Sequence, residues 1–334
     1  MPALAVADAL RAEGASVTFV GGERAEAEHV PAAGYELRTI RVEGLDRRNP
    51  LRAARAVLRA ALAVPRAMRI LQALRADAVM AGGGYVAGPV GLAAVLLRIP
   101  LVVTEADSHL GVANRLLAPF ARRVCLAFPI AGRTARRYRV TGRPVPPPAT
   151  DLAAARARFG LSPDDTVVLV FGGSLGARSI NFAAVEAFTG ATFRVLHAAG
   201  TRDFEALTSP GDHYDLRPYI HEFGDALLAA DLVVARSGGS VFEIAAHGRP
   251  AILIPYPAAA ADHQTANARW MAEGGAAVVI PDGELTATRL AHEVGELLHD
   301  RSHLAQMAHA SAALARPDAA REIAGELLTA TAAR

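Results

Sequence analysis

Two doubly wound α/β domains, each built on a parallel sheet, with a cleft between them, are what this sequence predicts. Three observations carry the prediction. Apolar bursts of strand length recur at βα spacing along the chain, the signature of parallel sheets covered on both faces. A proline-rich stretch, "TGRPVPPPATD" at 141–151, interrupts the alternation once and can continue neither helix nor sheet. And 334 residues are too many for one ordinary core.

Taken in order, the chain opens in a helix. Leu4, Ala7 and Leu10 share a face, with Val6 four before Leu10, and Pro2 suits a first turn. Gly14 ends it, and "SVTFVGG" (16–22) reads as a buried strand. Strands are predicted at 16–21, 34–40, 77–82, 100–105 and 122–128, with helical segments between most of them. After the linker come strand 166–172, helix 179–188, strand 193–199, a short element near 217–220 and helix 224–230. Strand 231–235, helix 240–247, strand 250–256, helix 263–273 and strand 276–280 follow. Helical segments at 286–315, with a break, and 317–330 finish the chain. The expected domains are 1–145 and 146–316, with 317–334 a helix that packs back on the first.

Composition narrows the class. Mean hydropathy is +0.23 and 52% of residues are apolar, but only 5% are aromatic, so alanine inflates the figure. No apolar run reaches the ~18 residues of a membrane span, and the first residues lack the charged and apolar regions of a signal peptide. The single cysteine, Cys125, excludes an intramolecular disulfide and reads as a buried strand thiol in a reducing compartment. A net charge of +2 is no nucleic-acid-like excess. Every basic residue other than histidine is arginine, and eight of them fall between Arg47 and Arg75 with no acid among them. There Leu51, Val57, Leu58 and Leu62 can form an apolar stripe edged by Arg48, Arg52, Arg55 and Arg59. That pattern suits either an anionic membrane surface or an ordinary packed helix with a solvated basic face.

In open α/β sheets ligands sit at the carboxyl ends of strands, so the residues that follow strands are the informative ones. "TVVLVFGGSLGARSIN" (166–181) runs an apolar strand into Gly172, Gly173, Ser174, Leu175, Gly176 and Ala177 and then a helix. Close backbone approach and a helix N-terminus suit a diphosphate, and a plain βα turn is the competing reading. Neither a dinucleotide fingerprint nor a P-loop is present, which argues against a dehydrogenase. "ARSGGSVFE" (235–243) repeats the theme, with Glu243 able to accept both ribose hydroxyls or simply to answer the helix dipole. "DHQTANA" (262–268) places Asp262, His263, Gln264 and Asn267 at a helix start. The spacing is wrong for a metal; sugar hydroxyls fit the set, and a cap by Asp262 is the plainer alternative. In the first half, Gly83, Gly84 and Tyr85 follow one strand, and Glu105, Asp107, Ser108 and His109 follow another. His109 is a candidate base or a solvated loop histidine.

Together, "GGYVAGP" (83–89), "GGSLGARSIN" (172–181), "EIAAHGRPAILIPYP" (243–257) and "DHQTANA" (262–268) resemble the MurG family, collinearly over nearly the whole chain. The resemblance implies the two-domain GT-B fold, no metal or cofactor, and an inverting transfer of N-acetylglucosamine. The donor would be UDP-N-acetylglucosamine and the acceptor a polyprenyl-diphosphate-linked muramyl-pentapeptide, at the cytoplasmic face of the membrane. It implies that Ser174 and the Gly172–Ala177 loop hold the diphosphate and that the Ile220 backbone meets the uracil. Gly238, Gly239 and Ser240 would support the nucleotide, Glu243 the ribose and Gln264 the sugar, with Asn267 nearby. Gly83, Gly84 and Tyr85 fall on the acceptor side, and Leu51, Arg52, Arg55, Leu58, Arg59 and Leu62 at the membrane.

Three departures stand out. Asp107 occupies a position where the family has an asparagine facing the donor sugar, Pro146 replaces an arginine, with Arg143 three residues earlier, and the 237–243 loop is one residue shorter. The resemblance also implies a strand and a histidine-ending glycine loop before "PALAVADAL". On that reading some 15–20 residues precede Met1, and the strands flanking the missing one must close a gap. His109 and Glu105 are then the only substitutes for the family's loop histidine as base. Competing readings are another GT-B lipid glycosyltransferase, a sugar-nucleotide epimerase on the same fold, and a UDP-binding scaffold among wall-synthesis proteins.

Overall fold

The computed structural model describes residues 2–23, 25–42, 50–173, 175–259 and 262–332. The chain forms two compact units, 1–145 with 316–334, and 146–315.

The first unit runs α1 (Pro2–Ala12), β1 (Thr18–Gly21), α2 (Ala25–Ala32), β2 (Glu36–Thr39), α3 (Pro50–Ala73) and β3 (Val79–Ala81). It continues with α4 (Gly84–Leu96), β4 (Leu101–Glu105), α5 (Val112–Leu117), β5 (Arg123–Leu126) and β6 (Tyr138–Val140). All neighbouring strands are parallel, but they lie in two sheets, β1-β2 and β3-β4-β5-β6. The expectation that flanking strands close a gap is not met, because β1 and β3 share no ladder. Helices hold the two sheets together instead. On α1, Val6 joins a core with Val102 and Cys125 while the adjacent Ala7 packs with Val30 and Tyr35. On α4, residues meet both β1 and β3. Two successive small apolar residues on α1 thus serve two cores, which only a helix lying over both sheets can do.

The second unit runs α6 (Leu152–Arg158), β7 (Val167–Phe171), α7 (Arg178–Ala187), β8 (Arg194–Ala198), β9 (Tyr214–Arg217), α8 (Phe223–Ala229) and β10 (Leu232–Ala235). It continues with α9 (Val241–Ala246), β11 (Ala251–Leu253), α10 (His263–Glu273), β12 (Ala277–Val279), α11 (Ala287–His299) and α12 (Arg301–Leu314). Its parallel sheet has the order β12-β11-β10-β7-β8-β9. The chain winds outward from β7 through β8 and β9, then returns to lay β10 on the other side of β7. That reversal opens a crevice at the carboxyl ends of β7 and β10. Every residue of β7 and β10 is buried, as a sheet covered on both faces requires. The final helix, α13 (Ala319–Ala332), belongs to the first unit.

Two elements have no counterpart in the sequence reading. β6 has one half-buried and two exposed residues, so it is an edge strand that carries arginine where an apolar run was sought. α6 begins where the linker was expected to end: Asp151 accepts a hydrogen bond from the Ala154 N–H at 2.9 Å and caps "LAAARAR". The short element near 217–220 is the end of β9 and the turn beyond it.

α13 is fastened by charge as well as by Ile323, Ala324, Leu327 and Ala330. Buried Glu326 accepts from Arg123 Nε at 2.7 Å and from Arg139 Nη1 at 2.9 Å. Burial alone would raise the Glu326 carboxyl, but the hydrogen bonds from the two arginines outweigh it and hold it below the usual range. Cys125 lies in the same layer as a buried thiol, pushed up to about 12 by desolvation.

Candidate functional site

The glycine loop after β7 is shaped by contacts that no side chain would allow. A Cβ at Gly172 would meet the Ala177 nitrogen at 2.2 Å, and one at Gly176 would meet the Ala199 carbonyl oxygen at 1.9 Å. Gly176 also has φ +77°, and its partner across the contact, Gly200, has φ +79°. The loop is therefore pressed against the end of β8. It delivers the chain to Ala177, which starts α7 without a side-chain cap. The first N–H groups of α7 therefore receive no cap from Ala177, and a helix start of this kind can accept an anion. Ser174 lies outside the described residues.

Beside this loop is a cavity of about 280 Å³ whose lining includes Phe171, Gly173, Gly200, Ile220, Ser240 and Glu243. It joins residues from both sides of the switch point. Of the residues expected at a nucleotide, Gly173, Ile220, Ser240 and Glu243 share this wall. The sequence reading missed the aromatic part. Phe171 and Phe223 pack edge to face with centroids 4.9 Å apart, and Tyr219 and Phe223 also line the cavity. A flat apolar slot beside a carboxylate and a helix N-terminus fits a base, a ribose and a diphosphate in that order. The helix that bears Glu243 is held by its own histidine. His247 donates from Nδ1 to the Glu243 carbonyl at 2.8 Å and accepts from the Ala149 N–H at 3.2 Å. Burial lowers its pKa, in keeping with a neutral ring.

The loop after β10 is fixed from beneath by Arg236. This guanidinium is almost fully buried. Its Nη1 donates to Asp282 Oδ1 at 2.6 Å and to the Ile254 and Pro255 carbonyls at 3.1 and 3.2 Å. Its Nη2 donates to Ser179 Oγ on α7 at 2.8 Å, and Ser179 in turn donates to Asp282 at 2.7 Å. One arginine thus joins α7, the 236–240 loop and the turn at Asp282.

The "DHQTANA" residues divide. Asn267 is buried and donates from Nδ2 to the Ser237 carbonyl at 3.0 Å, so it shapes the 237–238 backbone. Gln264 accepts the Tyr256 N–H at 3.0 Å, and its Nε2 lies against Gly238. Asp262 adopts a left-handed conformation (φ 53°) and accepts from Thr265 Oγ1 at 2.6 Å. It makes no backbone cap, so the capping alternative is not what the structure has.

Under the sheet lies a buried polar relay that the sequence did not mark. His197 is bracketed by Tyr214 Oη at 2.7 Å and Asn181 Oδ1 at 3.1 Å. Asn181 Nδ2 donates to the Ala199 carbonyl, so Oδ1 must accept, which places the ring proton on Nε2 and leaves Nδ1 to accept from Tyr214. Burial lowers the His197 pKa to about 4.

In the first unit, Gly83 and Gly84 have φ +82° and +75° and turn β3 into α4. A Cβ at Gly83 would meet Asn114 at 3.3 Å, so this turn and the loop after β4 are in register. Glu105 is buried and consumed by that loop. It accepts from the Asp107 N–H at 3.2 Å, the Gly111 N–H at 2.8 Å and Asn114 Nδ2 at 2.9 Å. Asp107 and His109 are carried on the turn it defines, and His109 Nδ1 is buried without a hydrogen-bond partner. Tyr85 approaches Gly22. No group of His, Cys, Asp and Glu placed to hold a metal ion occurs among the described residues.

On α3 the buried face is Ala56, Ala63, Val64, Ala67 and Leu71, and the expected apolar stripe points outward. Val57, Leu58 and Leu62 are 60, 60 and 69% exposed. The side chains of Leu51 and Arg52 lie outside the described ones; Arg55 and Arg59 are on the exposed part of the helix. No described helix is long and apolar enough to cross a membrane.

Comparison with known proteins agrees over nearly the whole chain. The glycosyltransferase family 28 N-terminal domain matches residues 1–126, and the glycosyltransferase family 28 C-terminal domain matches 167–323. Two relatives are described as UDP-N-acetylglucosamine–N-acetylmuramyl-(pentapeptide) pyrophosphoryl-undecaprenol N-acetylglucosamine transferase. The one from Moorella thermoacetica is 42% identical over 95% of this chain and 92% of its own. That from Rubrobacter xylanophilus is 42% identical over 97% of this chain and 98% of its own. Among solved structures, Acinetobacter baumannii MurG superposes with a TM-score of 0.78 at 29% identity, covering 98% of this chain and 95% of that one.

Proposed function

The chain belongs to the MurG family of glycosyltransferase family 28 and has its GT-B fold, and from that premise we propose how its residues divide the reaction. The enzyme is a hexosyltransferase of peptidoglycan synthesis. It moves N-acetylglucosamine from UDP-N-acetylglucosamine to the lipid-linked muramyl-pentapeptide. The observation that carries our assignment of the donor site is the cavity at the β7/β10 switch point, which joins Ile220, Ser240 and Glu243 to the glycine loop.

Uracil would lie in the aromatic slot, with the Ile220 backbone at its edge. Glu243 would accept the ribose hydroxyls, and the diphosphate would rest on the 172–177 loop and the α7 N-terminus. In the reaction the acceptor's 4-hydroxyl oxygen bonds to the anomeric carbon from the face opposite UDP. The bond from that carbon to the diphosphate breaks, UDP takes the electron pair, and configuration inverts. Negative charge grows on the diphosphate as the bond breaks. Backbone N–H groups aimed there in advance stabilise it without reorganisation. Gln264, whose amide lies beside Gly238, would meet the donor sugar, and Asn267 would act behind it by holding the loop.

A base must take the acceptor proton. Glu105 spends its carboxylate on three loop donors and so supports the turn that bears Asp107 and His109. Gly83, Gly84 and the uncapped start of α4 would face the acceptor. The exposed Val57, Leu58 and Leu62 with Arg55 and Arg59 would rest on an anionic membrane at its cytoplasmic face, where the nucleotide donor is available.

Titration with UDP and a transfer assay test the assignment. Glu243→Ala is expected to weaken UDP binding about tenfold, roughly 1.4 kcal/mol, and to lower kcat/KM by a similar factor. Unchanged UDP affinity would remove Glu243 from the ribose.

A further inference from the structure

Phe223 on α8 and Glu243 on α9 both line the cavity at the β7/β10 switch point, and the backbones of the two helices meet again at one imidazole. His247, the residue that ends α9, donates from Nδ1 to the Glu243 carbonyl at 2.8 Å. Gly224, next to Phe223, lies against the same ring: a Cβ there would be 3.6 Å from His247 Nε2 and 3.7 Å from the Ala149 Cβ. Nε2 itself accepts the Ala149 N–H at 3.2 Å. The chain enters the second unit at Pro146, and Pro146, Pro147 and Pro148 have no N–H. The Ala149 N–H is thus the first backbone donor this entry segment offers, and His247 takes it. Two residues further on Asp151 caps α6, which packs on α8. One ring therefore links the entry segment to Glu243 on one side and to the neighbour of Phe223 on the other.

We propose that His247 is a positioning residue for the sugar-nucleotide donor: its neutral ring ties the Ala149 segment to α8 and α9 and so holds Phe223 and Glu243 at the spacing a nucleotide needs. The proposal rests on the reading of this cavity as the donor site. Only the neutral ring with its proton on Nδ1 can serve both partners, since a protonated Nε2 would oppose the Ala149 N–H, donor against donor. Burial favours the neutral form, Arg249 supports it, and Asp225 on α8 opposes it. Asp225 is itself paired with Arg158 of α6 at 2.7 Å, Arg156 of α6 faces Asp231 at 3.6 Å, and Arg249 donates to the His247 and Ala230 carbonyls at 2.9 and 2.7 Å. The other helices on α9 approach it with apolar groups. Ala308 and Ala312 of α12 meet Gly248, with Arg301, His303 and His309 of that helix exposed. Trp270 of α10, a helix that also carries His263, Arg269 and Glu273, packs on Phe242. Acid should therefore protonate His247, release Ala149 and weaken donor binding.

The test is calorimetric titration of the full chain with UDP-N-acetylglucosamine, whose diphosphate keeps its charge, from about pH 7.5 down to about 5.5. The wild-type Kd is expected to rise about threefold to tenfold over that span, the worth of one hydrogen bond. His247→Ala should raise Kd by about the same factor at neutral pH, with no further loss in acid. His247→Gln keeps an acceptor for Ala149 that does not titrate, so it should bind as the wild type does at neutral pH and lose the acid limb. Should His247→Ala fail to fold, the profile of His247→Gln decides alone. An acid limb kept in His247→Gln would overturn the proposal, and so would a wild-type Kd indifferent to pH. A lowered thermal midpoint with unchanged donor Kd in His247→Ala would make the residue structural only and overturn it as well. Glu243→Ala separates the two levels. If it leaves the donor Kd unchanged, the reading of the cavity fails and the role of His247 with it. If it weakens the donor while both His247 variants match the wild type at every pH, the role of His247 fails and the cavity reading stands.

Discussion

Arg236 Nη1 and Asp282 Oδ1 meet at 2.6 Å, and the same guanidinium reaches Ser179 on α7. Two loops that approach the cavity from opposite sides of the switch point are thereby set against one buried cation. Lysine can supply the charge but not the planar fork that serves Asp282, Ser179 and two carbonyls at once. Arg236→Lys should therefore weaken UDP binding about tenfold and cost about 1–3 kcal/mol of stability in the second unit. Calorimetric titration and denaturant unfolding read the two effects. Full UDP affinity with reduced stability would mean that Arg236 serves packing alone.

The glycine loop makes a graded prediction. Gly176→Ala places a Cβ 1.9 Å from a backbone carbonyl at positive φ, which nothing flexible can relieve. It should abolish UDP binding or folding. Gly173 also has positive φ (+93°), but its Cβ would meet nothing within 4 Å. Gly173→Ala should cost only the strain of a left-handed residue, about 1–2 kcal/mol, and retain UDP binding. Equal damage at the two positions would refute the close approach of the loop to β8.

Glu105 offers a test confined to the first unit. Glu105→Gln turns one acceptor oxygen into an NH₂ group that faces the donors Asp107 N–H, Gly111 N–H and Asn114 Nδ2. The turn should loosen, and kcat should fall at least tenfold through misplacement of Asp107 and His109. UDP affinity, a property of the second unit, should hold. A variant with normal kcat would show that the turn needs no order.

His197 sets a pH dependence. Its pKa is about 4 in the fold and about 6.5 in the unfolded chain. Between those values the unfolded state binds the extra proton, so stability falls as pH drops from about 6.5 to 4 and is fully present above. The shift corresponds to roughly 3 kcal/mol. Unfolding by denaturant across that range should show the slope, and His197→Gln should flatten it. The depressed carboxyl of Glu326 acts in the same direction at lower pH: its contribution is present above the unfolded carboxylate value and is lost as pH falls through the folded one. A slope unchanged in the His197 variant would assign the acid sensitivity elsewhere.

The pairing of Arg123 and Arg139 with Glu326 predicts a structural effect at the carboxyl end. Glu326→Gln takes from Arg123 its carboxylate partner and leaves Arg139 with Glu322, and should destabilise the first unit by about 1–3 kcal/mol. Protease susceptibility of α13 would report it; resistance equal to wild type would mean that the apolar contacts of Ile323, Ala324, Leu327 and Ala330 hold α13 without the pair.

What the sequence determined by itself was periodic or local. Strand β7 is legible because a strand buried on both faces has to be apolar throughout, and the glycine loop because only glycine takes those dihedrals and contacts. The break at Asp300 between α11 and α12 and the burial of Cys125 were legible for the same kind of reason. Tertiary structure decided the rest. α6 depended on one cap, and β6 on an edge position that tolerates arginine. The separation of β1-β2 from β3–β6 depended on which edges find partners. Phe171 and Phe223, 52 positions apart in sequence, form one wall only because the sheet reverses at β7. Arg236, Asn267 and Glu105 look like ligand groups in a string of letters. The fold turns them inward, because a buried polar side chain must find backbone partners and these three do. On α3 the fold chose alanine for the core, since small residues let α3 and α4 approach closely, and so left Val57, Leu58 and Leu62 facing out.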